Sequence, residues 1–315
     1  MNGITKYSVL LIVFAWAAIG LFIYLANAQS LTPNNSFDPI DVRDGAGLYK
    51  KQLANGNAAY LQLIDLRKTQ IDQLIGETEE IGEGQGLYYR GANQYRNPFF
   101  KRKLFSEVAD SYVKTYTERV FSIINCAFFE QYQPATQLSF PVKINGQVIA
   151  GGNSPYGPIE QPKDPRYKNI RLKALVWDDR RAYVTDYDPQ TGKPLSETEV
   201  KNAIVTYKYS DHPAKILAND RTNRYHVMAT LDRDGNGGDE LLAIITVNKA
   251  TLEESANLLR ELGAPGDIIA IDGGTSVYLF NSKVGNIMLP QSGNGGTREL
   301  PHYLGFRTRL IQKED

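Results

Sequence analysis

Sulfur, imidazole and a charge surplus are all scarce in this chain, and each shortage closes off a class of function. Only one of the 315 residues is cysteine, Cys126, so neither an internal disulfide framework nor a paired-cysteine zinc site is available. The three histidines, His212, His226 and His302, show no metal-ligand spacing and read as surface or supporting positions. Lys+Arg and Asp+Glu both number 35. A net charge of zero lacks the basic surplus that displaces counterions from a phosphate backbone, so nucleic acid is not an expected partner. Low-complexity tracts and repeats of roughly 20–50 residues are absent, which argues against a disordered chain and against a solenoid.

What is present begins with a separate N-terminal unit. Lys6 precedes an apolar run, Val9–Ala26, interrupted only by Gly20 and Tyr24. A membrane-spanning anchor needs roughly 17–25 apolar residues. A signal peptide has a shorter core and a small-residue cleavage site, and Ala26-Asn27-Ala28 provides one. Both readings export the chain, to a periplasmic or extracellular location, either released after Ala28 or tethered by the uncleaved segment. Contact with the membrane is expected only there. Residues 1–28 thus read as signal peptide or signal anchor, the Pro/Asn/Ser-rich stretch 29–44 as a linker, and 45–315 as one domain.

That domain reads as strand-rich, in keeping with its 19 tyrosines and 27 glycines. Asn55-Gly56 and Asn145-Gly146 predict hairpins, and Asp178-Asp179 and Asn281-Ser282 predict two more. Ile71, Leu74 and Ile75 suggest a short helix. Phe105, Val108, Ala109, Tyr112, Val113 and Tyr116 have helical spacing. Thr251 and Glu254 form a capping box that opens a helix ending at Gly263. The expectation is an α+β fold, a mixed sheet with a few flanking helices.

Three stretches carry candidate chemistry. Ile268–Ile271 is an apolar strand ending in Asp272, followed by Gly273-Gly274-Thr275-Ser276. Two glycines after a carboxylate let a ligand approach the backbone, although an Asp-Gly turn has the same appearance. Asn125-Cys126-Ala127-Phe128-Phe129-Glu130 follows a second buried strand and holds an amide and a carboxylate around an aromatic pair. Cys126 itself reads as a packed small residue. Gly293–Gly296 and Arg298 form a glycine-rich loop with one guanidinium, suited to an anion or simply to a surface turn.

The order of these stretches resembles the phosphodiester glycosidase domain of the N-acetylglucosamine-1-phosphodiester α-N-acetylglucosaminidase ("uncovering enzyme") family and its bacterial exopolysaccharide-associated relatives. The family pattern Asn-Gly-Gly-Phe-Phe-Asp corresponds to Asn125–Glu130, and Asp-Gly-Gly-Gly-Ser to Asp272–Ser276. An Arg opening a hairpin corresponds to Arg224, and Gly-Gly-x-Arg-x-x-Pro-x-x-Leu-Gly to Gly295–Gly305. The resemblance implies a hydrolase that cleaves the sugar C–O bond of a sugar-1-phosphodiester in an envelope or extracellular glycopolymer, with no required cofactor. By that resemblance Asp272 activates water or stabilises the anomeric centre, Glu130 partners it, and Asn125 hydrogen-bonds sugar or catalytic groups. Arg224 and Arg298 would cradle the phosphate with Gly273, Gly274 and Ser276. Cys126, Ala127 and Thr275 replace family glycines, and Glu130 replaces aspartate. A second reading therefore stands beside the first: a non-catalytic glycan-binding or envelope-assembly protein on the same scaffold.

One further motif is independent of these. Asp232-Arg-Asp234-Gly-Asn236-Gly-Gly-Asp-Glu240 has oxygen side chains spaced as at the start of a calcium loop, but lacks the acidic twelfth position of an EF-hand. Asp232, Asp234, Asn236 and Glu240 are the candidate ligands of a structural calcium ion, or else an acidic hairpin turn. The N-terminal segment generates a direct expectation: mass spectrometry of the mature protein should find a chain beginning at Gln29, or full-length protein in the membrane fraction. Soluble full-length cytoplasmic protein would contradict it.

Overall fold

The computed structural model describes residues 33, 36–79, 95–129, 135–152, 170–235, 238–264, 266–292 and 296–310. The apolar run Val9–Ala26 lies outside them, and among the described residues no helix is long and apolar enough to cross a membrane.

The larger sheet runs, in spatial order, through Asp38–Arg43, Ala46–Gln52, Ala58–Asp65, Leu241–Ala250, Asn223–Leu231, Ile269–Ile271, Asn202–Lys208, Leu172–Trp177 and Ala182–Asp186. A short hairpin, Val142–Ile144 with Gln147–Ala150, attaches to Asn202–Lys208. The smaller sheet is Gly285–Met288, Leu279–Asn281, Val120–Asn125, His302–Thr308 and Thr69–Ile75. Every pairing among the described residues is antiparallel, which corrects the expected mixed sheet. Short turns join Asp38–Arg43 to Ala46–Gln52, Leu172–Trp177 to Ala182–Asp186 and Leu279–Asn281 to Gly285–Met288, and a parallel pair would need a long crossover instead. The helix Leu252–Arg260 is such a crossover, but it steps past one strand, so Ile269–Ile271 runs alongside Asn223–Leu231 and antiparallel to it. The mostly-sheet α+β class holds.

The two sheets pack face to face, and each outer face carries a helix. Leu48, Ile64, Ile244, Ile269 and Ile271 of one sheet meet Phe121, Ile124, Leu304 and Phe306 of the other. On the far side of the larger sheet, Val227, Ala229, Ile245 and Val247 receive Leu252, Ala256 and Leu259 of the capping-box helix. On the far side of the smaller sheet, Ile123, Tyr278 and Tyr303 receive Phe105, Val108, Ala109 and Tyr112 of the helix Phe105–Tyr116. Strand alternation explains the division, since neighbours in sequence face opposite layers. Burying each such aliphatic or aromatic side chain contributes about 1.5–3 kcal/mol.

Two sequence expectations fail in instructive ways. Residues 38–43, within the expected linker, form the edge strand of the larger sheet. Pro39 and two aspartates hid the pattern. Asp41 is buried, but Arg43 pairs with it at 3.0 Å and the Asn281 amide donates to it at 3.0 Å, so its charge is compensated. The expected helix at Ile71, Leu74 and Ile75 is instead the strand Thr69–Ile75, paired residue by residue with His302–Thr308. Its spacing fits one helical turn, but seven residues opposite a long strand gain a full ladder of hydrogen bonds.

That ladder is packed closely. A Cβ on Gly305 would lie 2.5 Å from the Tyr112 ring, whose hydroxyl donates to Asp72 at 2.8 Å and so fixes the ring in place. Gly305→Ala should therefore destabilise the fold by about 1–3 kcal/mol, seen as a lower urea midpoint. An unchanged midpoint would mean that the helix yields more easily than this contact implies.

Candidate functional site

Three strand termini meet at one end of the sandwich. Val120–Asn125 and Ile269–Ile271 both finish there, and Asn223–Leu231 begins there. Beyond the regular ladders, the Asp272 N–H donates to the Cys126 carbonyl at 2.9 Å, and the Cys126 N–H donates to the His302 carbonyl at 3.2 Å. The two sheets are thus stitched together at this edge, and residues far apart in sequence become neighbours.

Asn125 is the hub. Its Nδ2 donates to the Asp272 carbonyl at 2.7 Å. Its Oδ1 accepts from the Tyr278 N–H at 2.8 Å and contacts His226 Nε2 at 2.9 Å. Because Oδ1 can only accept, His226 carries its proton on Nε2, and Nδ1 accepts from the Thr246 hydroxyl at 2.8 Å. Full burial pushes His226 down to about 3, so the ring is neutral at physiological pH. Asn125, expected to hydrogen-bond sugar or catalytic groups, holds the backbone of the Asp272–Tyr278 turn. His226, expected at the surface or in support, is the residue that sequence reasoning undervalued.

Asp272 heads that turn. It keeps a solvent-facing edge while its carboxyl sits deep among protein atoms. Desolvation raises its pKa from 3.8 to about 7, against the opposing pull of the Ser276 hydroxyl, the Arg298 charge and the Gly273 N–H. Ser276 and Gly273, expected to touch substrate, therefore attend the carboxylate, because the short 3-10 turn Gly274–Ser276 curls back over it. Gly274 adopts φ +61°, a left-handed conformation that its lack of a side chain makes easy.

Two guanidiniums bind the same turn. Arg298 Nη1 donates to the Thr275 hydroxyl, and its guanidinium lies over the Phe129 ring, 5.1 Å from the centroid. Thr275, which stands where the family pattern has a glycine, thus holds the arginine. Arg224 Nη2 donates to the carbonyls of Val277 and Leu289 at 2.9 and 2.8 Å, while its Nε and Nη1 are buried without a partner among the described residues. Burial lowers its pKa. Two nitrogens of a half-buried cation whose N–H groups lack a partner favour an anion nearby. The aromatic pair divides its work: Phe129 lies under Arg298, and Phe128 packs edge-on against Phe140 and Tyr207. Cys126 is wholly buried in the core between the sheets, and burial pushes its thiol up, so it is no nucleophile.

His302 is also buried, with neither ring nitrogen hydrogen-bonded. Asn125, Arg224, Asp272, Gly273, Gly274, Ser276 and Arg298 are brought together. Glu130 lies outside the described residues. Asp232, Asp234 and Glu240 cluster at the other end of the Asn223–Leu231 strand, and Asn236 lies outside the described residues.

No family model matches the sequence, and no curated protein matches it. Solved structures do match. The catalytic domain of zebrafish N-acetylglucosamine-1-phosphodiester α-N-acetylglucosaminidase, auto-inhibited by its pro-peptide, aligns over 89% of this chain and 87% of that one, with 13% identity and a TM-score of 0.52. The chain has the fold of that catalytic domain. A hypothetical protein from Synechocystis aligns over 87% of this chain and 64% of that one, with 11% identity and a TM-score of 0.46. The likeness to the glycosidase domain is one of fold.

The raised pKa of Asp272 has a measurable consequence. Below about pH 3 its carboxyl is protonated in folded and unfolded chains alike. Between there and about 7 the unfolded chain ionises first, so this residue takes stability away as pH rises. Asp272→Asn should therefore raise the melting temperature at pH 8 and leave it unchanged near pH 3. A variant that melts lower at pH 8 would refute the buried-carboxyl account.

Proposed function

We propose that the protein is an exported hydrolase acting on a sugar-1-phosphodiester of an envelope or extracellular glycopolymer, breaking the bond between the anomeric carbon and the phosphate oxygen. The observation that carries this reading is the convergence of three separate sequence motifs at one strand end, which sets the Asp272 carboxyl, its pKa raised by burial, at the turn held by the Arg298 guanidinium.

The chemistry follows from the groups. A carboxyl with a pKa near neutrality exchanges protons readily at working pH, so Asp272 suits general-base activation of water or charge compensation at an oxocarbenium-like carbon. The leaving group is a phosphate monoester, which departs without strong protonation. Its charge needs cations, and Arg298 at the turn with Arg224 behind it supply them. Asn125 and His226 act at one remove, by fixing the backbone that presents Asp272. Glu130 remains the proposed partner carboxylate. The export route, by signal peptide or anchor, belongs to the same proposal.

The deciding assay is release of free sugar from a panel of sugar-1-phosphodiesters, UDP-N-acetylglucosamine and polymer-derived compounds among them. Asp272→Asn should lower the rate on the order of 10²–10⁴-fold. Arg298→Lys keeps the charge but loses the planar fork, and should mainly raise KM. If wild type turns over and Asp272→Asn equals it, the mechanism is wrong. If wild type binds the panel but releases nothing, the protein is a glycan-binding module on this scaffold.

A further inference from the structure

The turn joining Asn223–Leu231 to Leu241–Ala250 lies at the end of the sheet away from Asp272. There Asp232, Asp234 and Glu240 each offer a carboxylate oxygen, and all three oxygens lie within 4.8 Å of one another. Asp232 and Asp234 are exposed, but Glu240 is only 4% exposed. Its Oε1 accepts from the Arg233 N–H at 3.2 Å, and its Oε2 is buried with no hydrogen-bond partner among the described residues. A buried carboxylate oxygen without a donor is costly unless something positive reaches it.

The cation at hand does so poorly. Arg67 is forked onto Asp65, with Nε–Oδ1 and Nη2–Oδ2 both 3.0 Å. It reaches Asp234 at 3.3 Å and Glu240 Oε1 only at 4.0 Å. Three carboxylates, those of Asp65, Asp234 and Glu240, thus share one guanidinium, which is already engaged by the first of them.

We propose that this turn binds a calcium ion through Asp232, Asp234 and Glu240, with the unpartnered oxygen of Glu240 as its buried ligand. All the donors are hard oxygens, with no imidazole or thiolate among them, which selects against zinc and copper. Two oxygens that share a calcium at 2.3–2.6 Å lie at most about 5 Å apart, a span that includes the observed cluster. Magnesium holds its own waters and demands a tighter octahedron, so it fits a cluster of three loop carboxylates less well. The structure also narrows the ligand set: Asp239 is outside the cluster, because its Oδ2 accepts from the Thr230 hydroxyl at 2.5 Å. The bound ion would leave Arg67 wholly to Asp65. It would also fasten the hairpin end to the Leu66 turn, where the Leu66 N–H already donates to the Glu240 carbonyl at 3.0 Å.

The test uses the whole chain, stripped with chelator and titrated with calcium chloride or magnesium chloride by calorimetry, with melting curves alongside. One calcium per chain should bind, with an affinity in the range of roughly 10⁻⁴–10⁻³ M typical of extracellular modules, and should raise the melting temperature. Magnesium should bind at least about tenfold more weakly. Glu240→Gln should abolish binding, and where that variant fails to fold, Asp234→Asn at the exposed position should weaken it. Arg67→Met removes the competing charge and should strengthen calcium binding by about tenfold. Absence of heat and of any melting shift at about 10 mM calcium, in both wild type and Arg67→Met, would overturn the site. Equal affinity for the two ions would overturn its assignment to calcium.

Discussion

A single side-chain amide fixes where the two sheets end relative to each other. Asn125 donates to the Asp272 carbonyl, accepts from the Tyr278 N–H, and is itself held by a neutral histidine on the larger sheet. Without it, the Asp272–Tyr278 segment would have unpaired backbone groups at a buried edge, which cost about 1–3 kcal/mol each. The arrangement depends on charge as well as shape. Were His226 protonated, Nδ1 would become a donor facing Thr246 and would add a cation inside the core. Its depressed pKa keeps the ring neutral and the amide in one orientation.

The same edge explains the unusual state of Asp272. A carboxylate in water would sit near its ordinary value, and the Ser276 hydroxyl, the Gly273 N–H and Arg298 would all lower it further. Burial outweighs them together, so the fold holds this group in a proton-exchanging state at a cost in stability. Three of the departures from the resembled pattern, Cys126, Ala127 and Thr275, lie near the group. Cys126 and Ala127 are absorbed by the core between the sheets, and Thr275 turns its hydroxyl to Arg298.

Local signals in the sequence read well where the physical cause is itself local. Asn145-Gly146 makes a hairpin because both residues adopt left-handed backbone, φ 49° and 83°, and the Thr251 capping box forms as its spacing predicts. Signals fail where a distant partner decides. Thr69–Ile75 is a strand because His302–Thr308 lies beside it, and Asp38–Arg43 is tied in by Asn281 and Ser282. Asp272, Asn125, Arg224 and Arg298 were legible as candidates and do converge, but their division of labour was not. Nothing near His226 marks it as the support of an amide 101 positions away. Likewise, the value of Thr275 is visible only beside an arginine 23 residues on.

The placement of the lone cysteine reaches beyond the site. Cys126 is fully buried between the sheets at their shared edge, its thiol pushed toward the protonated form, and no second cysteine exists in the chain. Neither crosslinking between copies nor attack by small oxidants has a path to that sulfur while the fold is closed. No disulfide within these 315 residues contributes to the fold, and once folded the sheets themselves shield the thiol.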